Sequence, residues 1–401
     1  MDGNSGGAAC HILMAITGQP RNGVPMSFHR SLNRAPALLF TAFGLALWTA
    51  PALASDVHVV AADGSGDFTS LATAASAAAD GDVLLVRPGD YGSANVVIDA
   101  KGLTIVKDGT GLVKSTGEIH ARNLPAGEEI HLSGLSYSHT SLAFCDGRIL
   151  IENFEPRYSL RECEVLAISS NSVTIANSEL RGRDGYDITG GQDNYGANGG
   201  HALFVQDSTI TLYSSTMQGG TGDDGAWLPC GIGGDGGDGL HVQDSASRVR
   251  YLDCTFAGGY RGYGGCGDGW EGADISAPAG TVIPLTMPVN EISGAAVIRE
   301  GNSYTLTING APGHVPMLLT ATAMFQRNLP PAIGVLHLPW PFSMEYLQPI
   351  PGNGVLNHQI AIPMLPGAEQ SRWRIMQIVI NDPAGRYLAR PISLTVLDDA
   401  L

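Results

Sequence analysis

The chain of 401 residues is 44% hydrophobic, enough to bury a substantial core and to build two domains. Only 15% of it is charged while glycine numbers 53, which excludes a typical helical protein and suits turn-rich β structure. A formal net charge of −16 without any Lys/Arg cluster argues against nucleic acid as a partner.

Residues 1–54 read as a leader ending in an export signal. Arg30 and Arg34 precede the apolar run APALLFTAFGLALW, and ALA at Ala52 to Ala54 is a small-residue cleavage pattern that puts the mature start at Ser55. Met26, just ahead of the basic residues, is an alternative start, and an uncleaved membrane anchor is the alternative fate of the run. No later segment is long and apolar enough to span a bilayer. Processing would remove Arg21, Arg30, Arg34 and Asp2, so the charge of −16 becomes −18 on a secreted, cell-surface or periplasmic bacterial protein.

Val59 to Gly92 carries DGSGDF, a short Ala-rich amphipathic stretch and the strand-like VLLVRPGDY. Asp63, Gly64, Ser65, Gly66, Asp67 and Phe68, then Pro88, Gly89 and Tyr91, resemble the opening of right-handed parallel β-helix proteins of the pectin lyase-like superfamily. The resemblance implies a turn, a capping helix and a first strand, and the pattern extends to Asp274. It is specific for fold, not for chemistry.

A repeat organises the middle of the chain. ALFVQDSTITLYSSTMQGG from Ala202 and GLHVQDSASRVRYLDCTFAGG from Gly239 place Leu203 and Leu240, Val205 and Val242, and a Gln-Asp-Ser triplet 37 residues apart; Leu166 and Ile168 fall another 37 upstream. IANSEL, LYSSTM and YLDCTF repeat one apolar and small-polar pattern from Ile175, Leu212 and Tyr251, with further units at Leu132 and Ile151. Short alternating units repeated beyond three predict a solenoid of stacked coils. The spacing grows from 19 and 24 residues to 37 and 39, so the later coils carry loops at one common point, and those loops must stack as well.

Within the loops, GGDGGDGLH from Gly233 to His241 matches the calcium-binding nonapeptide G-G-x-G-x-D-x-U-x, but no second copy follows directly, which argues against a calcium roll. The glycines are expected instead to supply positive φ and close backbone approach. Asp223, Asp224, Asp235 and Asp238 could hold Ca²⁺, a cation that takes many oxygens, and Tyr186, Trp227, Tyr260, Tyr263 and Trp270 could stack on sugar rings. A solvated, turn-rich surface is the plain alternative. His201 and His241 flank strand starts and read as hydrogen-bonded structural residues.

Enzyme families that share the implied fold leave their catalytic sets incomplete here. Gln206-Asp207-Ser208 superficially resembles one catalytic-aspartate context of pectin methylesterases, but their Asp-Phe-x-Phe-Gly motif is missing. The triplet recurs at Gln243 to Ser245, so Asp207 and Asp244 read first as strand-end residues accepting backbone bonds. Asp223-Asp224 lacks the downstream Gly-His-Gly of polygalacturonase-type hydrolases, and the Arg-x-Pro-x-x-Arg segment of pectate lyases is absent.

The expected fold is all-β: a right-handed parallel β-helix with a short N-terminal capping helix over residues 55–274, a linker over 275–296, and a C-terminal β-sandwich over 297–401. Strands of the sandwich are expected near 304–308, 317–322, 355–362, 374–380 and 392–396. WRIMQIVINDPAGRYLARPISLTV resembles the terminal modules of many exported bacterial proteins, and Trp340, Phe342 and Tyr346 read as filling between domains, with a sugar platform as the alternative. The expected function is non-catalytic recognition of a polysaccharide or cell-surface glycan through the loops. A divergent lyase, esterase or hydrolase using Asp207 and Asp244 is the alternative. An acidic surface repels acidic glycans, so the ligand should be neutral or bridged by Ca²⁺.

Beyond the leader the cysteines are Cys145, Cys163, Cys230, Cys254 and Cys266. Cys230 and Cys266 lie 36 residues apart in enlarged loops, and stacking at about 4.8 Å would let them form a disulfide. Cys254, in the strand position of Ser178 and Ser215, is expected to be a buried free thiol.

Overall fold

The computed structural model describes residues 55–155, 164–186, 195–225, 230–286, 291–328, 332–382 and 385–401. The expected leader and signal, residues 1–54, lie outside them, as do Trp227 and Cys163.

Short Val, Ile and Leu runs, bounded by Gly, Asn and Asp, become strands of parallel sheets. A nine-stranded sheet takes, in chain order, Val57–Val60, Val83–Val86, Leu103–Lys107, Glu129–Ser133, Arg148–Glu152, Val173–Ala176, Thr209–Tyr213, Arg248–Leu252 and Val282–Pro284. A seven-stranded sheet runs from Val96–Asp99 to Ile275–Ser276, and a three-stranded sheet joins Glu179–Arg181, Thr216–Gln218 and Thr255–Ala257. Each strand pairs in parallel with the same element one circuit later. Leu132, Ile151, Ile175, Leu212 and Tyr251, the repeat positions, are consecutive register partners in the nine-stranded sheet.

The register corrects one reading. Leu203 pairs with Val165 and Val205 with Ala167, one residue away from Leu166 and Ile168. A slip of one residue exchanges the two faces of a strand. Val165 and Ala167 are the buried pair, while Leu166 and Ile168 are half-buried on the outer face.

Corners repeat a single left-handed residue: Asn153, Asn177, Ser214 and Asp253 have φ of 57°, 47°, 44° and 53°. Asn and Asp tolerate that conformation better than most residues, hence their recurrence here. Serines beside them link the circuits, with the amide of Phe154 donating to Ser178 Oγ and that of Ser178 to Ser215 Oγ, both at 3.1 Å. Cys254 takes the next rung as a free thiol, but half-buried rather than fully buried, 3.3 Å from Leu252 O. Desolvation pushes its pKa up to about 11.

The first circuit is covered by the helix Leu71–Ala77, whose buried Leu71, Ala74 and Ala75 close the end of the core. Ser70 caps it by accepting the amide of Thr73 at 3.4 Å, and Lys101 Nζ donates to Ala75 O at 2.7 Å near its other end. Ahead of it Gly66 lets the turn close, because a Cβ there would lie 2.4 Å from Val59 O. Tyr91 fixes the following strand by donating to Val60 O and Arg87 O at 3.0 and 2.7 Å.

The expected linker over 275–296 contains paired strands in its described residues. Ile275–Ser276 and Val282–Pro284 are the last strands of two parallel sheets, and Glu291–Ser293 opens an antiparallel one. Pro278 and Gly280 lie in the turn between Ile275–Ser276 and Val282–Pro284, where Thr281 donates back to Pro278 O and Gly280 has φ 79°. Glu291–Ser293, Ser303–Asn309 and Val355–Ala361 make one antiparallel sheet. The second is built mainly from Val315–Ala321, Ser371–Asp382 and Ile392–Leu397. Tyr304, Leu306 and Ile308 of the first share a core with Leu318, Ile378 and Leu394 of the second.

The other face of that second sheet lies on the nine-stranded sheet. Leu150 packs with Leu319, Leu338 and Ile375, and Val83 and Leu85 with Leu397, so the described residues form one compact unit. Burial on both faces is why Val83–Val86 reads VLLV without alternation. His337 is fully buried at this seam, with Nε2 3.0 Å from Tyr213 Oη and Nδ1 3.4 Å from Thr174 Oγ1. Of the aromatic trio expected to fill the space between domains, only Phe342 packs here; Trp340 and Tyr346 are 76% and 73% exposed. No helix among the described residues is long and apolar enough to cross a membrane.

Candidate functional site

Three loops leave the three-stranded sheet and return to the seven-stranded one. Their outward legs are residues 182–186, 219–225 and 258–264, and their return legs 195–200, 230–239 and 267–273. Amide donors recur at every third residue. Gly219, Gly222 and Gly225 donate to the carbonyls of Ala257, Tyr260 and Tyr263, while Gly233, Gly236 and Gly239 donate to those of Gly267, Trp270 and Ala273. A second set joins opposed legs: Gly220 to Gly200 at 2.9 Å, and Gly237 to Gly220 and Gly259 to Gly237 at 2.8 Å.

A three-residue repeat of extended chain, bonded to its neighbours rather than to itself, is that of the polyproline II helix. As in collagen, glycine stands where backbones touch: a Cβ on Gly237 would lie 1.9 Å from Gly200 O, and one on Gly262 1.8 Å from Asp223 O. Close approach accounts for the spacing. Positive φ, the other expectation, does not, since none of the described glycines between 182 and 272 has it.

Side chains one circuit back accept further amides that this lattice leaves over. The amide of Thr221 donates to Asp184 Oδ1 at 2.9 Å, that of Asp235 to Asn198 Oδ1 at 2.8 Å, and that of Asp238 to His201 Nδ1 at 2.9 Å. Likewise Tyr263 donates to Asp224 Oδ1, Trp270 to Asp235 Oδ1 and Ala273 to Asp238 Oδ1, at 2.7 to 2.8 Å. Asp therefore recurs for a structural reason, because a buried or crowded amide needs an acceptor. The four carboxylates expected to hold Ca²⁺ do not converge. Among the described residues, the one group of three His, Cys, Asp or Glu with ligand atoms within 4.8 Å of each other joins Asp238 to His201 and His241, without Asp223, Asp224 or Asp235. The two histidines are hydrogen-bonded partners of Asp238, and desolvation, helped by His241, lowers the pKa of His201.

Aromatic side chains stand out from this backbone. Tyr186, Tyr260, Tyr263 and Trp270 are 72%, 70%, 50% and 81% exposed, and all but Tyr186 belong to the last loop. Tyr195, another aromatic of the same loops, is exposed to a similar degree. Cys230 and Cys266 are joined, with Cα atoms 5.1 Å apart, tying the second return leg to the tip of the third loop. Peptide mapping without reduction should recover these two cysteines in linked peptides; an alkylatable Cys230 would contradict the bridge.

Asp207 and Asp244 brace corners. Asp244 Oδ2 accepts the amide of Asp207 at 2.6 Å and Oδ1 those of Ala246 and Ser247 at 2.9 and 2.8 Å. Desolvation works to raise the Asp244 pKa, but these donors outweigh it and hold the carboxyl below its usual range. Asp207, left-handed at φ 46°, accepts the Ser169 hydroxyl at 3.3 Å.

Titratable groups meet in a hollow elsewhere. Glu129, His131 and Trp373 line a cavity of about 230 Å³ where the nine-stranded sheet meets the C-terminal region. Glu129 lies 3.1 Å from an Arg148 guanidinium nitrogen and accepts the Met324 amide at 2.7 Å, yet burial outweighs both and pushes its pKa up to about 7. His131 is buried, with Nε2 3.1 Å from Glu152 Oε2 and 2.8 Å from Ser393 Oγ. No motif announces this cluster. The only trace in the sequence is that Glu129 and His131 alternate with Ile130 and Leu132.

No family model matches the chain, and no curated protein matches its sequence. Similar solved structures include a superoxide reductase (neelaredoxin) from Ignicoccus hospitalis and a variant of it, each 9% identical with a TM-score of 0.16, covering 27% of this chain and 80% of that one. A likeness that slight bears on neither fold nor chemistry.

Proposed function

We propose that this is an exported right-handed parallel β-helix protein with a C-terminal β-sandwich, which recognises a polysaccharide or cell-surface glycan through the last layer of its loop bundle and does not cleave it. Parallel sheets built one strand per circuit, with a helix over the first circuit, support the fold reading. The function rests on one observation: Tyr260, Tyr263 and Trp270 are exposed on a backbone whose amides are tied at every third residue. Rings held on a rigid support meet a sugar face with little ordering cost. With a net charge of −16, or −18 once Arg21, Arg30, Arg34 and Asp2 are removed with the leader, the surface favours a neutral glycan.

Passing the protein over immobilised neutral and acidic polysaccharides tests this reading. Retention by at least one neutral polysaccharide is expected, with no reducing ends, unsaturated products or free ester released. Turnover of any of them would replace it with the second reading, a polysaccharide-active enzyme. One observation favours that second reading, the raised pKa of Glu129 beside His131 in a shared hollow. At about 230 Å³ the hollow is smaller than the ~300–1,000 Å³ of most ligand sites, which weighs against a bound glycan chain there.

A further inference from the structure

We propose that His201, Asp238 and His241, at the foot of the loop bundle, bind a d-block divalent cation of the Zn²⁺ class. Asp238 Oδ2 lies 3.4 Å from His201 Nδ1 and 2.8 Å from His241 Nδ1, and the three ligand atoms of the group fall within 4.8 Å of one another. Tetrahedral Zn²⁺ with bonds of about 2.0–2.1 Å has ligand-to-ligand edges of roughly 3.4 Å. One edge already has that length. The edge between Asp238 and His241 opens by about half an ångström as the ion takes the place of the proton between His241 Nδ1 and Oδ2. That proton passes to Nε2 of the same ring, so His241 remains a neutral imidazole.

Two features suit the cluster to an ion, and a third must give way. Asp238 divides its oxygens, Oδ1 accepting the Ala273 amide at 2.8 Å while Oδ2 faces the imidazoles. The rings are stacked, with centroids 4.4 Å apart, an interplanar angle of 18° and Phe204 alongside, so they must tilt apart for both Nδ1 lone pairs to meet one ion. All three residues are half-buried, so an ion and its water can reach them. The ion must displace the Asp238 amide from His201 Nδ1. Asn198 provides the same kind of cap three residues earlier, so the fold does not require an imidazole at 201. Nitrogen donors favour Zn²⁺, Co²⁺, Ni²⁺ or Cu²⁺ over Ca²⁺, and three protein ligands leave one position for water.

Tag-free protein titrated with Zn²⁺ at about pH 7.5 should bind one equivalent, undisturbed by millimolar Ca²⁺. Co²⁺ should give the intense visible absorption of a tetrahedral centre. His201→Asn keeps an amide cap and His241→Asn keeps a donor to Asp238, so each is expected to preserve the melting temperature of the metal-free protein and weaken Zn²⁺ at least ~100-fold. If a variant does not fold, Zn²⁺-dependent shifts of the His201 and His241 imidazole resonances in the unsubstituted protein decide the question. No uptake at millimolar Zn²⁺, uptake indifferent to both substitutions, or unmoved imidazole resonances would overturn the site.

Discussion

Gly237→Ala is expected to open the loop bundle, while Gly267→Ala in the same loops leaves it intact. An alanine Cβ at 237 would stand 1.9 Å from Gly200 O and 2.4 Å from Gly200 C, both backbone atoms that cannot rotate away. The legs must part, and the bonds from Gly237 to Gly220 and from Gly259 to Gly237 go with them. At about 1 kcal/mol for each hydrogen bond, with overpacking strain of 1–3 kcal/mol added, the loss is on the order of 3–5 kcal/mol. At Gly267 nothing lies within 4 Å of the added carbon, and the change should stay within about 0.5 kcal/mol. Amide hydrogen exchange across 219–239 and 258–273 reads the difference directly. Equal protection in the two variants would refute the three-residue lattice.

The second large effect is a pH dependence centred on His337. Burial holds its pKa down to about 3 from an ordinary 6.5, so the folded protein keeps the ring neutral where the unfolded chain protonates it. A depressed folded pKa contributes stability that is fully present above pH 6.5 and is lost as pH falls from there toward 3. Each pKa unit is about 1.4 kcal/mol, making the loss on the order of 5 kcal/mol across the window. Glu129 acts with the opposite sign. Its raised folded pKa adds stability as pH falls through 7 toward 4.5, so the unsubstituted protein alone shows a blunted slope. Urea unfolding of His337→Gln beside the unsubstituted protein separates the two. The variant should be less stable near neutrality, where Tyr213 and Thr174 lose their partner, and should gain steadily on the unsubstituted protein as pH falls below 6.5. Parallel pH profiles would mean that His337 does not titrate as buried.

Much of the architecture is legible because the inward side chain of every circuit must be apolar and small corners must be Asn, Asp or Ser. That rule makes Leu132, Ile151, Ile175, Leu212 and Tyr251 visible as partners before any coordinates. Counting a fixed 37 residues fails at Leu166 because loop length, unlike the pleat, is free to change by one. In the loops, glycine was visible but its period was not, since pairs such as Gly219-Gly220 and Gly236-Gly237 serve two neighbouring legs at once and blur the spacing of three. Asp224 and Asp235, two of the carboxylates expected to hold Ca²⁺, accept amides one circuit away. The cluster of His131, Glu152 and Ser393 unites positions up to 262 residues apart, a distance over which strand patterns carry no information.

The central claim is that the last loop layer recognises a glycan. Affinity electrophoresis through gels containing each retained polysaccharide, with Tyr260→Ala and Trp270→Ala beside Asp207→Asn and Asp244→Asn, tests it most directly. Retardation should weaken at least ~10-fold in the two aromatic variants, as loss of a stacking ring would do, and persist in both Asp variants. Undiminished retardation of Tyr260→Ala and Trp270→Ala would contradict the account.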